Sequence, residues 1–318
     1  MARDLAGSVV VITGASSGIG RAAGHAFAQR GSQLVLAARS EEPLRAAAKE
    51  CERLGSAALA VPTDVRDEAA VQALAARAVE RFGRIDVWVN GAGVIAYGRF
   101  EEVPSEVFRA VMETNFFGHV HGARAVLPRF RQQRSGVLVN LSSVWGRVTT
   151  PDVSAYVASK FAVRAFSACL RHEVRGLPDV HVATVLPQAV DTPIFDRAAN
   201  YRGRGVRPVP PVIDAEEMAR VIVRCAQSPA REVTYNRAGR VLAVVHSLAP
   251  GIYERLLPSA FEAGNYADRA VAPSAGAVLD PGAGQHAIEG GWKRDRRREL
   301  ARAFVATVRG AARGLRGG

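Results

Sequence analysis

The sequence predicts an α/β protein built on a doubly wound parallel seven-stranded sheet, followed by a C-terminal extension. From residue 8 to about 235, short runs of β-branched apolar residues alternate with longer amphipathic stretches rich in Ala and Arg, as in repeated βαβ units. The short runs are apolar almost throughout, which is typical of parallel strands buried on both faces. The predicted strands are VVVIT (9–13), QLVLAA (33–38), AALAVPT (57–63), IDVWVN (85–90), GVLVNLS (136–142), VHVATVLP (180–187) and EVTY (232–235).

Three further segments follow the strand series. Residues 240–258 are apolar and helix-prone apart from Pro250, whereas the stretch after them is rich in Gly, Ala, Pro and Ser and lacks periodicity. The last segment places apolar residues at helical spacing between arginines. We therefore predict a catalytic domain over 1–258, a flexible linker over 259–291 and a basic amphipathic helix over 292–318.

More than half of the chain's formal charge of +12 lies in this basic tail, which has nine basic and two acidic residues. Docking on the parent domain or a dimer partner, weak peripheral contact with anionic lipid, and a nonspecific nucleic-acid contact all stay open. Nucleic acid is the least favoured, because the tail has only Trp292 and Phe304 as aromatic residues and the predicted fold has no base-reading element.

The cysteine pattern and the N-terminus predict a cytoplasmic protein. Cys51, Cys169 and Cys225 are far apart and in no metal-ligand spacing, so we expect buried, reduced thiols and no metal site. The N-terminus has no apolar signal region, and no run of 18 uncharged apolar residues appears later. Neither export nor a membrane span is indicated.

A glycine-rich turn follows the first predicted strand, with Gly14, Gly18 and Gly20. Glycines there let the backbone approach a pyrophosphate, whose charge is favoured by the N–H groups at the start of the next helix. The alternative is that these glycines serve only the turn conformation. The position of the turn at the first strand-to-helix connection favours a dinucleotide site.

The end of the second predicted strand selects the cofactor. An acidic residue at this place binds the ribose 2′-hydroxyl of NAD, whereas an arginine accommodates the 2′-phosphate of NADP. The chain has Ala38 and then Arg39, with no acid before Glu41. NADP(H) is therefore preferred over NAD(H), the alternative for Arg39 being a solvated surface charge.

Tyr156 and Lys160 stand four residues apart in a chain with three lysines, so one helix face would hold both. A cation about 4 to 6 Å from a phenol favours the phenolate and lowers the pKa of the tyrosine. Ser143, at the end of the fifth predicted strand, can donate a hydrogen bond to a substrate carbonyl. Its neighbour Ser142 is given no catalytic role. The alternative is that Lys160 is a solvated charge.

These pieces together resemble the short-chain dehydrogenase/reductase family over residues 7–235. Ser143 and Tyr156 are separated by 13 positions, as is usual there, and the motifs occur in the family's order. The matching motifs are TGASSGIG (13–20), DV (64–65), NGAG (90–93), ETNFFG around Asn115, NLSS (140–143) and YVASK (156–160). The resemblance implies a single-domain Rossmann fold, hydride transfer at a carbonyl or secondary alcohol, and a homodimer or homotetramer.

The resemblance also implies site residues. Catalysis would fall to Ser143, Tyr156, Lys160 and Asn115, with Asn115 holding a water in a proton relay and Lys160 also contacting the nicotinamide ribose. The alternative for Asn115 is an amide that satisfies nearby backbone. The further cofactor residues implied are Ser16, Ser17, Ile19, Asp64, Val65, Asn90, Pro187 and Thr192.

Two positions depart from the family pattern. Gly91 replaces the usual second asparagine of its motif, which we expect to alter only the packing of the central strand. Gln188 replaces the usual glycine after Pro187, and its amide is expected to point toward the substrate and tune specificity.

The substrate is not identified by the sequence. Residues 194–211, called the lid loop below, lie where the family places its substrate lid and contain four arginines, which either attract an acidic substrate or form a solvated face. Residues 240–258 resemble family members with lipophilic substrates near membranes, although a buried core helix explains them equally well. The predicted function is an NADPH-dependent carbonyl reductase or alcohol dehydrogenase, with a catalytically silent NADPH-binding sensor or scaffold as the alternative.

Overall fold

The computed structural model describes residues 2–235 and 237–293. The predicted tail helix therefore lies outside the described residues, apart from Trp292 and Lys293. The strands are β1 (Val9–Thr13), β2 (Gln33–Ala38), β3 (Ala58–Pro62), β4 (Val87–Asn90), β5 (Ala96–Tyr97), β6 (Gly136–Leu141), β7 (Val180–Leu186), β8 (Val190–Asp191), β9 (Ala199–Asn200), β10 (Arg204–Val206), β11 (Ile213–Asp214), β12 (Glu232–Thr234) and β13 (Tyr266–Ala270).

The helices surround a central sheet and include two short irregular turns. A π-helical turn covers Glu113–Phe117 and a 3₁₀ turn covers Val144–Gly146. The α-helices are α1 (Gly18–Ala28), α2 (Glu41–Arg53), α3 (Glu68–Phe82), α4 (Ser105–Met112), α5 (Gly118–Gln133), α6 (Ser154–Glu173), α7 (Ala215–Gln227), α8 (Arg237–Leu248), α9 (Pro250–Asn265) and α10 (Gly276–Leu279).

Seven strands form the parallel central sheet in the order β12-β7-β6-β4-β1-β2-β3. The chain builds one half from β1 outward to β3, then crosses to β4 on the other side of β1 and builds outward to β12. The predicted doubly wound fold and all seven predicted strands are confirmed. The strand order reverses between β1 and β4, and a ligand crevice forms beyond the carboxyl ends of the strands at such a point.

Two hydrophobic layers cover the sheet. Alternate side chains of β1 point to opposite faces, so Ile12 joins the layer of α1, α2 and α7 while Val11 joins the layer of α3, α5 and α6. Phe27 and Leu44 are fully buried in the first layer, and Phe130 is fully buried in the second. This double burial explains why the strand sequences are apolar almost throughout.

A proline divides the helical region that follows the sheet. The sequence predicted a helix-prone segment over 240–258, and α8 ends at Leu248 while α9 starts at Pro250. Proline has no N–H to donate and is well tolerated in the first turn of a helix, where that donor has no partner in any case.

The segment predicted as a flexible linker has secondary structure and contacts the domain. The last residues of α9 fall in it, and β13 pairs antiparallel with β10. The C-terminal strap, defined here as residues 266–293, ends where the Asp191 carboxylate accepts hydrogen bonds from the backbone N–H groups of Gly290, Trp292 and Lys293. The segment predicted as a flexible linker is thus hydrogen-bonded to the domain, and the division of the chain at residue 258 stays a prediction.

The three cysteines are free, as expected, but their exposure differs. Cys51 and Cys225 are buried, whereas Cys169 is exposed on α6, which corrects the prediction of three buried thiols. Within the described ranges, no helix is long and apolar enough to cross a membrane. The same ranges hold no group of three or more His, Cys, Asp or Glu residues placed to bind a metal ion.

These contacts predict different results for two C-terminal deletions. Deleting residues 276–318 removes the strap's hydrogen bonds to Asp191, Arg39 and Arg197, so the thermal unfolding midpoint should fall by about 5 °C or more. Deleting residues 294–318 removes none of the described contacts and should shift the midpoint by less than about 2 °C. Calorimetry or circular dichroism measures both. Equal midpoints for the two deletions would mean that the strap does not stabilise the domain.

Candidate active site

A cavity of about 450 Å³ lies beyond the carboxyl ends of the central strands. Its wall includes residues that follow β1, β2, β4, β6 and β7. Of the predicted site residues, the cavity is lined by Gly14, Ser16, Ser17, Gly18, Ile19, Gly20, Arg39, Val65, Ser143, Tyr156, Lys160, Pro187, Gln188 and Thr192. Asp64, Asn90 and Asn115 do not line it.

The turn after β1 requires glycine for packing reasons as well. Gly14 has φ +73, and a Cβ on it would lie 2.7 Å from the Cα of Ala92, while a Cβ on Gly20 would lie 2.2 Å from the Gly14 carbonyl oxygen. The alternative explanation therefore accounts for the glycines by itself. What points to a phosphate is the start of α1, which has no side-chain cap from Ser17 and no acidic residue in its first turn.

Arg39 lies at the end of the cavity beside this turn. Its Nη2 donates to the carbonyl oxygen of Ala277 at 2.7 Å, whereas its Nη1 is buried without a hydrogen-bond partner. Burial lowers the pKa of Arg39 from its ordinary value. The predicted alternative of a solvated surface arginine does not describe this side chain.

Asp64 is engaged elsewhere. Arg66 donates to it from Nε and Nη2, with the shortest distance 2.6 Å. Burial alone would raise the pKa of Asp64, but the hydrogen bonds from Arg66 together with the charges of Arg66 and Arg39 outweigh burial, and the pKa is lowered. The neighbouring Val65 reaches the cavity instead.

The opposite end of the cavity brings Ser143, Tyr156 and Lys160 together. Ser143 follows β6, and its Oγ accepts a hydrogen bond from the backbone N–H of Trp145 at 3.1 Å. Tyr156 lies in the first turn of α6, and the Nζ of Lys160 is 5.5 Å from the centre of the tyrosine ring. The Nζ of Lys160 donates to the Leu141 carbonyl at 2.9 Å. Lys160 is only 4% exposed, so it is not a solvated charge.

The pKa of Tyr156 shifts in the direction opposite to that predicted. Burial raises the pKa of Tyr156 to about 12, and a hydrogen bond with Ser143 only partly offsets this effect. Burial also lowers the pKa of Lys160 to about 8. Both groups lose hydration, which disfavours the charged form of each. At neutral pH the tyrosine thus keeps its proton while the lysine is mostly charged.

The side-chain amide of Asn115 is hydrogen-bonded to nearby backbone, which is the alternative that the sequence left open for it. It lies in the π-helical turn, is fully buried, and its Oδ1 accepts from the Val94 N–H at 2.8 Å. Its Nδ2 donates to the Val94 carbonyl at 2.9 Å and to Ser159 Oγ at 3.1 Å. A Cβ on Gly93 would lie 3.6 Å from Asn115 Oδ1 and 3.7 Å from Lys160 Nζ, so these two atoms face the same glycine.

Asn90 is a core residue behind the cavity wall. Its Oδ1 accepts from the indole N–H of Trp88 at 2.7 Å, and its Nδ2 donates to Asn140 Oδ1 at 2.9 Å. The next residue, Gly91, explains the departure from the family motif. A Cβ there would lie 2.7 Å from the Thr13 carbonyl oxygen, so this backbone has no room for a side chain.

The substrate side of the cavity is apolar and aromatic. The Trp145 ring meets Tyr156 edge to face at 5.8 Å, and Phe195 packs against Trp292 at 5.9 Å. Gln188 lines the same region, with its Nε2 donating to the Pro211 carbonyl at 3.2 Å. The Gln188 amide thus forms a hydrogen bond between the segment after β7 and the lid loop.

The arginines of the lid loop do not gather at the substrate side. Arg202 pairs with Asp152, and Arg204 pairs with Glu262 and Asp268. Arg197 alone among the four lines the cavity, and it does so near Arg39 rather than near Tyr156.

Sequence reasoning missed Trp145 and the strap residue Trp292 as parts of the site, and it considered Arg197 only as one of four lid arginines that attract a substrate or face solvent. Trp145 follows the predicted Ser143 by two positions, so its position next to the site could have been predicted from the sequence. Trp292 reaches the site through contacts with Thr192 and Asp191 about 100 positions away in the chain. Contacts over such a separation leave no local sequence pattern.

Comparison with known proteins agrees with this architecture. The sequence model of the family described as short chain dehydrogenase matches residues 8–202. A Bacillus subtilis (strain 168) protein named "Uncharacterized oxidoreductase YxnA" is 32% identical over 300 residues, covering 92% of this chain and 84% of the relative.

Two solved structures are similar. One is a short chain dehydrogenase/reductase from Burkholderia phymatum in complex with NAD, with TM-score 0.72 and 28% identity over 79% of this chain and 96% of that one. The other is an alcohol dehydrogenase from the archaeon Thermococcus sibiricus complexed with 5-hydroxy-NADP, with TM-score 0.63 and 30% identity over 72% and 98% of the two chains. The chain belongs to the short-chain dehydrogenase/reductase family.

Proposed function

We propose that the protein is an NADP(H)-dependent oxidoreductase that transfers a hydride between the nicotinamide and a carbonyl or secondary alcohol. The observation that carries the proposal is the meeting of Ser143, Tyr156 and Lys160 at one end of a cavity whose other end begins at the start of α1. No side chain caps that helix start, although its Gly18 N–H donates to the Ala287 carbonyl of the strap. The set of Ser143, Tyr156 and Lys160 argues against a binding protein without activity.

The residues fit a dinucleotide with a 2′-phosphate. The start of α1 offers N–H groups to the pyrophosphate, and the unpartnered Nη1 of Arg39 offers a donor to the 2′-phosphate. Ser16, Ser17, Val65, Pro187 and Thr192 complete the proposed binding wall. The two similar solved proteins hold NAD and 5-hydroxy-NADP respectively, so the preference is argued from Arg39 and not from them.

The bound cofactor would supply or accept the hydride. In reduction, Ser143 Oγ donates a hydrogen bond to the substrate carbonyl oxygen, and the Tyr156 hydroxyl gives that oxygen its proton. The phenolate left behind is stabilised by the Lys160 ammonium next to its ring. The Leu141 carbonyl keeps that ammonium in place, which leaves it able to contact the nicotinamide ribose as well.

Asn115 and the substrate side have defined parts in the proposal. Asn115 holds the backbone of Val94 in the cavity wall, and its Oδ1 faces Gly93 together with Lys160, where a relay water would bind. The walls formed by Trp145 and Phe195 favour an apolar substrate. Arg202 and Arg204 pair with carboxylates, and Arg197 lies at the cofactor end of the cavity, so an acidic substrate is not supported.

Three earlier expectations stay predictions. These are a homodimer or homotetramer, a cytoplasmic location, and weak membrane contact through residues 292–318, most of which lie outside the described residues. Turnover itself is tested by following NADPH oxidation with a panel of apolar aldehydes and ketones. Tight NADPH binding without turnover of any of them would favour the sensor or scaffold.

Replacing the proposed acid separates proton transfer from cofactor binding. Tyr156→Phe should lower kcat by about 10²- to 10⁴-fold, because only the proton donor is lost, and leave NADPH affinity within about threefold. Steady-state kinetics and fluorescence titration measure the two effects. Tyr235→Phe is the matched control, since its hydroxyl donates to Glu217 away from the cavity. Retained activity in Tyr156→Phe would mean that another group gives the proton.

The pKa of Lys160 predicts how kcat/KM changes at alkaline pH. Burial places the pKa of Lys160 at about 8, so its charge is present below that pH and lost above it. Because the charged form stabilises the phenolate, kcat/KM for reduction should fall about tenfold per pH unit above pH 8. Tyr156, with a pKa of about 12, does not titrate in this range.

The control for this profile is Lys160→Met, which has no amine to titrate and should show a low activity without the inflection near pH 8. Circular dichroism confirms that each protein stays folded across the range. A wild-type profile that is flat to pH 10 would contradict the assigned role of the lysine.

The cofactor preference depends on Arg39. NADPH should bind about tenfold or more tightly than NADH, and Arg39→Asp should reverse the order because an aspartate repels the phosphate and accepts from a 2′-hydroxyl. Fluorescence titration gives both affinities. Arg45→Asp is a matched control on an exposed arginine of α2. Equal affinities in the wild type would exclude the proposed preference.

A further inference from the structure

Arg197, in the lid loop, lines the cavity next to Arg39 although no motif singles it out. Arg39 comes from the end of β2 and Arg197 from the segment after β8, so two distant parts of the chain place guanidinium groups at one end of the cavity. The positive charge of Arg39 is close enough to lower the pKa of Arg197, in addition to the larger effect of burial.

The present hydrogen-bond partners of Arg197 are all neutral. Its Nε donates to the Ala283 carbonyl at 2.8 Å, its Nη2 to the Pro281 carbonyl at 3.0 Å, and its Nη1 to Ser17 Oγ at 3.2 Å. A guanidinium has five N–H donors, so these three bonds leave two more. Ser17 belongs to the glycine-rich turn, which places Arg197 directly beside the proposed phosphate region.

The acidic groups near the two arginines do not neutralise them through contact. Asp280 is exposed on the strap and acts on both arginines only at a distance, while Asp64 is held by Arg66. Two neighbouring cations with neutral partners repel each other. An anion placed between them relieves that repulsion and accepts the unused donors, and guanidinium groups bind phosphate in a paired, planar geometry.

We propose that Arg197 is a second binding residue for the 2′-phosphate of NADP(H), which is then held between Arg39 and Arg197 beneath the strap. The proposal rests on the NADP(H) preference proposed above. It assigns part of the cofactor specificity to the lid loop, whose Ile194, Phe195 and Val209 also line the cavity. Ala277 and Pro281 of the strap close the same end of the cavity, with the Pro281 carbonyl also accepting from Ser40 Oγ at 2.9 Å.

The test compares ligands that differ only in the 2′-phosphate. NADPH and NADH form one pair, and adenosine 2′,5′-bisphosphate and adenosine 5′-monophosphate form a second pair that needs no nicotinamide site. The variants are Arg197→Ala and Arg197→Gln, the latter retaining amide donors for the strap carbonyls without the charge. Arg204→Ala is the control, an arginine of the same loop that pairs with Glu262 and Asp268 outside the cavity.

Both Arg197 variants should bind the 2′-phosphorylated ligand of each pair about 10- to 100-fold more weakly, with the other ligand changed less than about threefold. Arg204→Ala should bind all four ligands as the wild type does. The unfolding midpoint is measured for every variant, and if Arg197→Ala is destabilised, the ratio within each pair is taken from Arg197→Gln.

Equal losses for both members of a pair would show that Arg197 only supports the strap, and unchanged binding would show that it does not reach the phosphate. Either result overturns the inference. If Arg39→Ala loses the preference for NADPH while the Arg197 variants keep it, the inference fails alone. If the wild type shows no preference for NADPH over NADH, the proposed cofactor preference and the inference on Arg197 both fail.

Discussion

The reversal of strand order between β1 and β4 is the constraint on which the site depends. All seven central strands are parallel, so their carboxyl ends meet at one edge, and the connections leave in opposite directions on the two sides of β1. The crevice between those connections receives the loops after β1, β2, β4, β6 and β7. Gly14 allows the loops after β1 and β4 to approach each other closely, because a Cβ at this position would clash with the backbone of Ala92.

Burial sets the chemistry at the inner end of that crevice. Tyr156 and Lys160 both lose hydration, and each shifts toward its neutral form. The lysine retains its position through the Leu141 carbonyl, a neutral acceptor that does not cancel its charge. In the proposed mechanism, the phenol keeps its proton until a substrate oxygen takes it, and the neighbouring cation stabilises the phenolate once it forms.

Local patterns predicted the fold, and the family resemblance predicted many of the residues of the cavity wall. The strands are mostly apolar runs. Tyr156 and Lys160 lie one helical turn apart, and Ser143 lies at the carboxyl end of β6, where residues that line the crevice are expected. The sequence did not predict the balance between desolvation and charge at Tyr156, because that balance depends on the surrounding packing. It also did not predict the strap, whose composition suggests a linker but whose backbone carbonyls and N–H groups find partners far away in sequence.

The cavity has an uneven charge along its length. Within the described part of the chain, its lining includes Arg39, Arg197 and Lys160 but neither Asp nor Glu. Arg39 and Arg197 lie at the end near the glycine-rich turn and Lys160 at the other, whereas Trp145 and Phe195 form an apolar wall beyond it. Walls of low dielectric constant focus the field of such cations into the cavity. An elongated ligand with several negative charges matches the first part, and an uncharged carbonyl compound matches the second, so one cavity can select both reactants by opposite physical criteria.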